Sequence, residues 1–381
     1  MNHDDLKYWI ALKSVQGIGN VNFTALADKF GSLPAVFASP MAKLKEITGI
    51  SKGIAEEIIN FNDWDKVKKE LELLDKNKVY IITYHDELYP RRLQDVYDRP
   101  PYIYVRGNLN SEDINIAMVG SRQASAYGKY TTERISRDLA LRGATVVSGM
   151  ARGIDSAAHR GALTAHGRTV AVLGSGLDVI YPPENKKLFE DIIQNGAVIS
   201  EYPLGTPPRA SNFPARNRII SGMSYGVVIV EAGEKSGSLI TARLALEQGR
   251  EVFAVPGSID SAGSRGTNKL IKQGAKLVEN TDDILEEILP QLEQTFKPAI
   301  KPETADIKET ETSDVKAPAL SAVDRKIIDF VSRGSIHIDD LTSSTGLSSA
   351  DALSALTAME LKGVIQQHPG KYFSLKKQIL D

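Results

Sequence analysis

The chain has 381 residues, of which 42% are hydrophobic and 25% charged, and its formal net charge is −2. That length predicts two or three domains, and the composition is ordinary for a globular protein. No apolar run approaches the roughly 20 residues that cross a bilayer, and the acidic amino terminus has no signal core. The sequence lacks cysteine, which excludes disulfides, thiolate metal sites and cysteine nucleophiles. These features favour a cytoplasmic protein with no membrane partner.

The near-neutral total hides an uneven distribution of charge. Residues 205–275 contain nine Lys/Arg and five Asp/Glu, whereas residues 281–314 contain ten Asp/Glu and three Lys. A basic region is the electrostatic pattern expected of a nucleic-acid contact. The acidic region is typical of a solvated linker.

The first three quarters of the chain predict two successive domains. Residues 1–62 indicate short helices, and the turns VQGIG (15–19) and ITGIS (47–51) resemble those of helix-hairpin-helix or SAM-like domains. Residues 63–294 begin with two β-prone runs, VYII (79–82) and YIYV (102–105), after which apolar strands alternate with helices from residue 114 onward. That alternation predicts a doubly wound α/β sheet.

The last quarter of the chain predicts a linker and a small third domain. Residues 295–318 contain three prolines and several acids, which indicates an acidic flexible linker. Residues 319–381 predict three helices (321–333, 339–344 and 348–362) and a hairpin (364–367 with 372–375), the pattern of a winged helix. The third helix carries Asp351, Glu360 and Lys362 with little positive charge, which favours protein contact or packing over reading of a DNA duplex.

One strand end has the features of a phosphate site. The apolar run at residues 114–119 stops at Gly120 and Ser121, Arg122 follows, and a helix begins near residue 127. Such a turn presents backbone N–H groups and a positive helix end to an anion, and Arg122 would add a bidentate phosphate contact. The alternative is an ordinary strand-to-helix turn with a surface arginine.

Three further strands end in the same way. The segment TVVSGMARGID (145–155) supplies Arg152 and Gly153, and TVAVLGSGLD (169–178) supplies small residues alone. The segment GVVIVEAGEKSGS (226–238) supplies Lys235, Ser236 and Gly237. Because ligands of open parallel sheets bind at the carboxyl ends of the strands, we expect these residues to form one site.

The segment NFPARNR (212–218) combines an aromatic ring with charge. Phe213 offers a surface on which a base can stack, and Arg216, Asn217 and Arg218 can contact phosphates. Single-stranded nucleic acid is bound by this combination. The alternative is a packed loop, with Phe213 in the core and the arginines paired with Glu201 or Glu231.

Taken together, the motifs resemble those of the DprA/Smf family, the DNA-processing proteins of natural transformation. The resemblance covers about residues 75–290 and rests on VGSR (119–122), SGMARGID (148–155), GSGLD (174–178) with Tyr181-Pro182, FPARNR (213–218), KSGS (235–238) and AVPG (254–257). It implies an extended Rossmann-like fold and a protein, not an enzyme, that protects incoming single-stranded DNA, loads the RecA recombinase and helps complementary strands anneal.

The resemblance also implies site residues and self-association. It places DNA contacts at Gly120, Ser121, Arg122, Phe213, Arg216 and Arg218. The strand ends and the aromatic segment add Arg152, Gly153, Asn217, Lys235, Ser236 and Gly237. A homodimer contact is predicted at Leu270, Ile271 and Leu277, although internal packing is the default for periodic apolar residues.

The principal rival is an enzyme or sensor that binds a nucleotide, such as a phosphoribohydrolase. Those enzymes carry a Pro-Gly-Gly-x-Gly-Thr-x-x-Glu loop, whereas here no glutamate follows the turn after residue 234 until Glu247. A dinucleotide oxidoreductase fits less well because the glycine fingerprint is incomplete. The histidines show no zinc-ligand spacing, and His159, one turn after Asp155, is interpreted as a capping or packing residue. We therefore predict no catalytic residue, no metal and no cofactor.

Overall fold

The computed structural model describes residues 3–295 and, nearer the carboxyl terminus, residues 327–328, 330–331, 336–345, 356, 359, 365–368 and 372–375. The chain divides into two compact units, Met1–Ala299 and Ile300–Asp381. No helix in these described ranges is both long and apolar enough to cross a membrane.

The first unit begins with six helices: α1 (His3–Ser14), α2 (Asn20–Phe30), α3 (Leu33–Phe37), α4 (Met41–Leu44), α5 (Lys52–Ile59) and α6 (Trp64–Lys76). Both predicted turns contain a glycine, Gly17 and Gly49, whose φ is +88°. Glycine adopts this left-handed conformation without the steric cost of a Cβ atom. Trp9 of α1 stacks on Phe23 of α2 and meets Tyr84 edge-on, so the helices share a hydrophobic core with the sheet that follows.

Nine strands form the central sheet: β1 (Tyr80–Thr83), β2 (Tyr102–Gly107), β3 (Asn115–Val119), β4 (Thr145–Ser148), β5 (Thr169–Leu173), β6 (Gly196–Ser200), β7 (Gly226–Ile229), β8 (Glu251–Ala254) and β9 (Lys276–Leu277). Their order is β1-β2-β6-β5-β4-β3-β7-β8-β9. Strands β3 to β9 pair in parallel, whereas β1 pairs antiparallel with β2, and β2 antiparallel with β6. The predicted doubly wound α/β class is confirmed, and the strand order reverses between β3 and β7.

Eight helices accompany the sheet: α7 (Arg91–Gln94), α8 (Ala126–Leu141), α9 (Ile154–Thr164), α10 (Lys186–Asn195), α11 (Asn212–Gly222), α12 (Ser238–Glu247), α13 (Arg265–Lys272) and α14 (Asp282–Thr295). Successive side chains of β3 point to opposite faces of the sheet. Ile116 and Met118 pack with α8 and α9, while Ala117 and Val119 belong to the core that includes α11 and α12. The sheet is therefore covered on both faces, which explains its continuous apolar strands.

The second unit contains helix α15 (Ile338–Thr345) and a three-stranded antiparallel sheet in the order β10-β12-β11. The strands are β10 (Ile336–His337), β11 (Ile365–His368) and β12 (Tyr372–Leu375), and the last two match the predicted hairpin. Its core contains Ile327, Val331, Leu341, Leu356, Met359, Ile365 and Phe373. Residues 296–318 of the predicted linker, and the charged residues of the predicted third helix, lie outside the described residues.

Candidate nucleic-acid interface

An open cavity of about 890 Å³ lies at the carboxyl ends of the parallel strands. It lies where the strand order reverses, so the loops after β3 and β7 form adjacent parts of its wall. This is the position at which open α/β sheets bind ligands. Nine predicted site residues line it: Gly120, Ser121, Arg122, Phe213, Arg216, Asn217, Lys235, Ser236 and Gly237. Arg152, Gly153 and Arg218 do not line it.

Arg122, Phe213 and Tyr181 form a contiguous group at this cavity. The guanidinium carbon of Arg122 lies 5.1 Å from the centroid of the Phe213 ring, within the range of a cation–π contact. The Tyr181 ring lies beside Phe213, with 5.7 Å between the centroids. Arg122 is exposed and Tyr181 is 37% exposed, so both reach solvent. Tyr181 was not among the predicted site residues, although it belongs to one of the motifs that carry the family resemblance.

The start of α11 fixes the position of Phe213. The side-chain amide of Asn212 donates to the carbonyl oxygen of Gly174 at 3.0 Å, just after β5. A Cβ atom on Gly174 would lie only 3.0 Å from Cδ1 of Phe213. The small residues that the sequence predicts at this strand end therefore leave space for the Phe213 ring.

Arg216 is buried beneath the cavity. Its guanidinium donates to the carbonyl oxygens of Gly149, at 3.0 Å, and of Val172, so it connects the ends of β4 and β5. Burial lowers the pKa of Arg216 to about 10, and the neighbouring Asp155 carboxylate opposes that shift. Arg216 was predicted as a DNA contact, but only 3% of the residue is exposed. We therefore expect Arg216 to support the floor of the cavity and not to contact a DNA strand directly.

Arg218 points away from the cavity. Its guanidinium is 2.8 Å from the Asp98 carboxylate and 2.6 Å from that of Glu201. The packed-loop alternative, with an arginine paired to Glu201, describes this residue. Its charge is already neutralised inside the protein, so we do not assign it to the interface.

Two further predicted residues support the loops or lie outside the cavity. Gly153 has a φ of +76°, and a Cβ atom there would lie 2.2 Å from the carbonyl oxygen of Ser121, so glycine is required for this close approach. Arg152 is exposed and pairs with Glu184, with 3.1 Å between Nη2 and Oε2. Gly153 therefore positions the Ser121 loop, while Arg152 lies outside the cavity.

The amino-terminal end of α8 is already occupied by a carboxylate. Glu231, at the end of β7, accepts hydrogen bonds from the Ser125 amide at 3.1 Å and the Ser125 hydroxyl at 2.5 Å. Its own carbonyl oxygen accepts from the Ser121 amide at 2.8 Å. From the sequence, the helix end after Arg122 was predicted to hold a phosphate. Glu231 takes that position instead, and the Arg122 side chain stays exposed to solvent.

The loop before α12 supplies the second exposed cation. Lys235 and Gly237 are exposed, and the Ser236 hydroxyl accepts from the amide of Ser238, the first residue of α12, at 3.4 Å. Neither Arg122 nor Lys235 forms an ion pair with any residue that the structure describes. Both cations are therefore available to an external anion.

The described residues contain no group of three or more His, Cys, Asp or Glu side chains that could hold a metal ion. His159 is buried, and its Nδ1 lies 2.7 Å from the Thr169 hydroxyl. Burial lowers the pKa of His159 to about 3, so the ring is neutral and packs inside the protein.

Family models match both units of the chain. Residues 80–289 match the DNA recombination-mediator protein A family, and residues 311–371 match the DprA winged helix domain. The chain belongs to the DprA/Smf family. The family resemblance predicted from the motifs is thereby confirmed. The predicted winged helix is also confirmed, because the family model that matches residues 311–371 is a winged helix domain.

Relatives in the DprA/Smf family match most of the chain. Protein Smf of Escherichia coli is 36% identical over 375 residues, which cover 98% of this chain and 96% of that protein. The crystal structure of DNA processing protein A from Streptococcus pneumoniae is 37% identical, with a TM-score of 0.67, and covers 74% of this chain and 98% of that one. DNA processing protein A from Helicobacter pylori, described for its single-stranded DNA binding mode, is 32% identical, with a TM-score of 0.50, and covers 55% of this chain and 96% of that one.

Proposed function

We propose that this protein binds single-stranded DNA, with little sequence preference, in the cavity at the carboxyl ends of β3, β5 and β7. The observation that carries the proposal is the placement of Arg122 over the Phe213 ring, with Tyr181 beside it. Exposed aromatic faces accept any base, and exposed cations follow the phosphates between bases. The single-stranded DNA binding described for the Helicobacter pylori relative supports the same conclusion.

The site suits a strand better than a mononucleotide. A bound nucleotide would place its phosphates at the α8 helix end, where Glu231 would repel them. The phosphoribohydrolase alternative also needs a glutamate at the cavity. Glu247, the first glutamate after the turn, is an exposed α12 residue that pairs with Arg243 at 3.3 Å and does not line the cavity. These contacts favour a binding protein over an enzyme.

Membership of the DprA/Smf family supports a finer role. We propose that the protein acts in the cytoplasm during natural transformation, where it protects incoming DNA and loads RecA on it. We also propose a homodimer formed through the β9 edge. Leu277 lies in that two-residue edge strand and is 41% exposed, whereas Leu270 and Ile271 are half-buried. Two copies would present two sites to one strand and so increase avidity.

Fluorescence anisotropy with labelled oligonucleotides of equal length tests the binding function directly. We expect single strands to bind more tightly than duplex, and affinity to fall as salt rises because released counterions oppose binding. A parallel titration with ATP tests the rival hypothesis that the protein binds a nucleotide. Tight ATP binding without oligonucleotide binding would replace our proposal with the nucleotide-binding alternative.

A further inference from the structure

The outer face of α13 carries three positive charges, and the helix contains no acid. Arg265, Lys269 and Lys272 follow one another at spacings of four and three residues, so they lie on one side of the helix. All three are exposed, and none forms an ion pair with a residue that the structure describes. Leu270, on the other side, packs against the core of the sheet. The three cations are therefore available to an external anion.

The start of α13 is attached to the wall of the cavity proposed to bind DNA. The Gly266 amide donates to the carbonyl oxygen of Ala232 at 2.7 Å. A Cβ atom on Gly266 would lie only 2.9 Å from the carbonyl oxygen of Gly233, so the helix and this loop are in close contact. Gly233 and Lys235 line the cavity. The basic face of α13 therefore begins beside the loop that carries the exposed Lys235.

An exposed aromatic ring lies at the same junction. Tyr127, in the first turn of α8, is 58% exposed, and its hydroxyl donates to the carbonyl oxygen of Pro256, in the loop after β8, at 3.5 Å. Asn268 of α13 forms two hydrogen bonds with the backbone of Gly257 in that loop, at 3.2 and 3.0 Å. The ring and the three cations thus belong to one surface. Single-stranded nucleic acid is bound by such a combination of aromatic rings and positive charges.

The exposed charges of this surface favour an anion. The three cations of α13 and Lys235 outnumber Glu234 and Asp260, which are the exposed acids of the loops after β7 and β8. Glu231, the remaining acid of these loops, is buried, and its carboxylate accepts hydrogen bonds from Ser125. The same positive charges would repel an identical helix. This face therefore suits a polyanion better than a second copy of the chain.

We propose that a single strand bound in the cavity continues past Tyr127 and along α13, whose three cations contact its phosphates. This extension rests on the proposed function, since the strand must also occupy the cavity. The complete binding site is then longer than the cavity, and short strands do not reach α13. Phosphate contacts carry no sequence information, so the extension accepts any sequence.

Fluorescence anisotropy with thymidine oligonucleotides of increasing length tests this path. A variant that combines Lys269→Gln with Lys272→Gln should bind the shortest strands like the wild type, because those strands occupy the cavity alone. It should bind long strands about tenfold more weakly, because two phosphate contacts are lost. For long strands, the slope of log affinity against log salt concentration should also flatten by about 1.4 units.

Two further comparisons separate the path from a general effect of charge. A variant that combines Lys68→Gln with Lys69→Gln removes two exposed lysines of α6 and changes the net charge equally, and it should match the wild type at every length. Tyr127→Ala should weaken the binding of long strands only, whereas Tyr127→Phe keeps the ring and should bind like the wild type. Equal affinities of the α13 and α6 variants for long strands would overturn the path.

The outcomes distinguish this path from the function on which it rests. If short strands bind and depend on Arg122, but the α13 variant binds long strands normally, the path is wrong and the proposed function stands. If the wild type binds no oligonucleotide, both are wrong. Analytical ultracentrifugation of the α13 variant should give the same mass as the wild type. A changed mass would assign the basic face to contact between copies and would also overturn the path.

Discussion

Arg122 lies against the face of Phe213, with 5.1 Å between its guanidinium carbon and the ring centroid. Because the two side chains come from different loops, the fold brings together the guanidinium that we propose binds phosphate and the ring that we propose stacks on a base. A guanidinium held over a ring loses less side-chain freedom on binding than a free surface arginine does. The pair is therefore the part of the cavity where substitutions should affect affinity most.

Arg122→Ala should weaken binding of a single-stranded oligonucleotide by about 1–3 kcal/mol, the scale of a lost charged hydrogen bond. It should also lower the slope of log affinity against log salt concentration by about one unit or less, because one phosphate contact is lost. Arg122→Lys keeps the charge but loses the planar guanidinium, so we expect an intermediate affinity. Anisotropy titrations over a salt series measure both effects. Arg142→Ala, at the opposite end of α8, is the control, and equal losses in the two alanine variants would contradict the assignment.

Phe213→Ala should cost about 1–3 kcal/mol of single-strand affinity, the range for one lost base stack. Tyr181→Ala should also weaken binding, whereas Tyr181→Phe keeps the ring and should bind like the wild type. The same anisotropy assay measures these variants after circular dichroism has shown that they are folded. If Tyr181→Phe loses as much affinity as Tyr181→Ala, the hydroxyl group and not stacking is responsible.

Arg218→Ala should act on stability because the variant leaves the half-buried carboxylate of Glu201 without its partner. Removal of one member of a buried pair costs about 3–5 kcal/mol, which urea denaturation can measure. Lys52→Ala removes the exposed pair with Glu56 and should cost less than about 1 kcal/mol. A stable Arg218→Ala variant that has lost DNA binding would show that Arg218 contacts DNA and would contradict its assignment to stability.

The carboxy-terminal unit should be dispensable for basic single-strand binding. A chain that ends at Ala299, the last residue of the first unit, keeps the whole cavity and should retain affinity within tenfold, or about 1.4 kcal/mol, of the full chain. Anisotropy on the two chains at matched salt decides the question. A larger loss would show that the second unit contributes DNA contacts.

Leu277→Glu should dissociate the proposed homodimer because it places a charge on the exposed β9 edge. Analytical ultracentrifugation at micromolar concentration should show a dimer of the 41.5 kDa chain for the wild type and a monomer for the variant. Binding to long oligonucleotides should weaken, while binding to short ones should not. Leu141→Glu alters a leucine at the end of α8 that is 67% exposed, against 41% for Leu277, and should remain a dimer. A wild-type monomer throughout the range would refute the dimer.

The strand ends of the site could be read from the sequence because buried parallel strands are continuous apolar runs that stop at small residues. Several partnerships could not be read, since they join residues far apart in the chain. Ser125 and Glu231 are 106 positions apart, and Arg218 and Asp98 are 120 apart. No local pattern showed that Glu231 occupies the helix end at Ser125. Nor did any local pattern show that Asp98 pairs with Arg218 and so removes a cation from the surface. Tyr181 was missed for the same reason, because its place at the cavity follows from its contact with the Phe213 ring, which lies far from it in the chain.

The carboxylate of Glu231 at the start of α8 also bears on how this sheet could evolve. Related architectures hold a nucleotide's phosphates at such a helix end. Here one internal side chain takes the place of such a ligand. Loss of that single carboxylate would expose the helix end to mononucleotides. Position 231 is therefore the point where one substitution would begin to convert the cavity proposed to bind single strands into a nucleotide receptor.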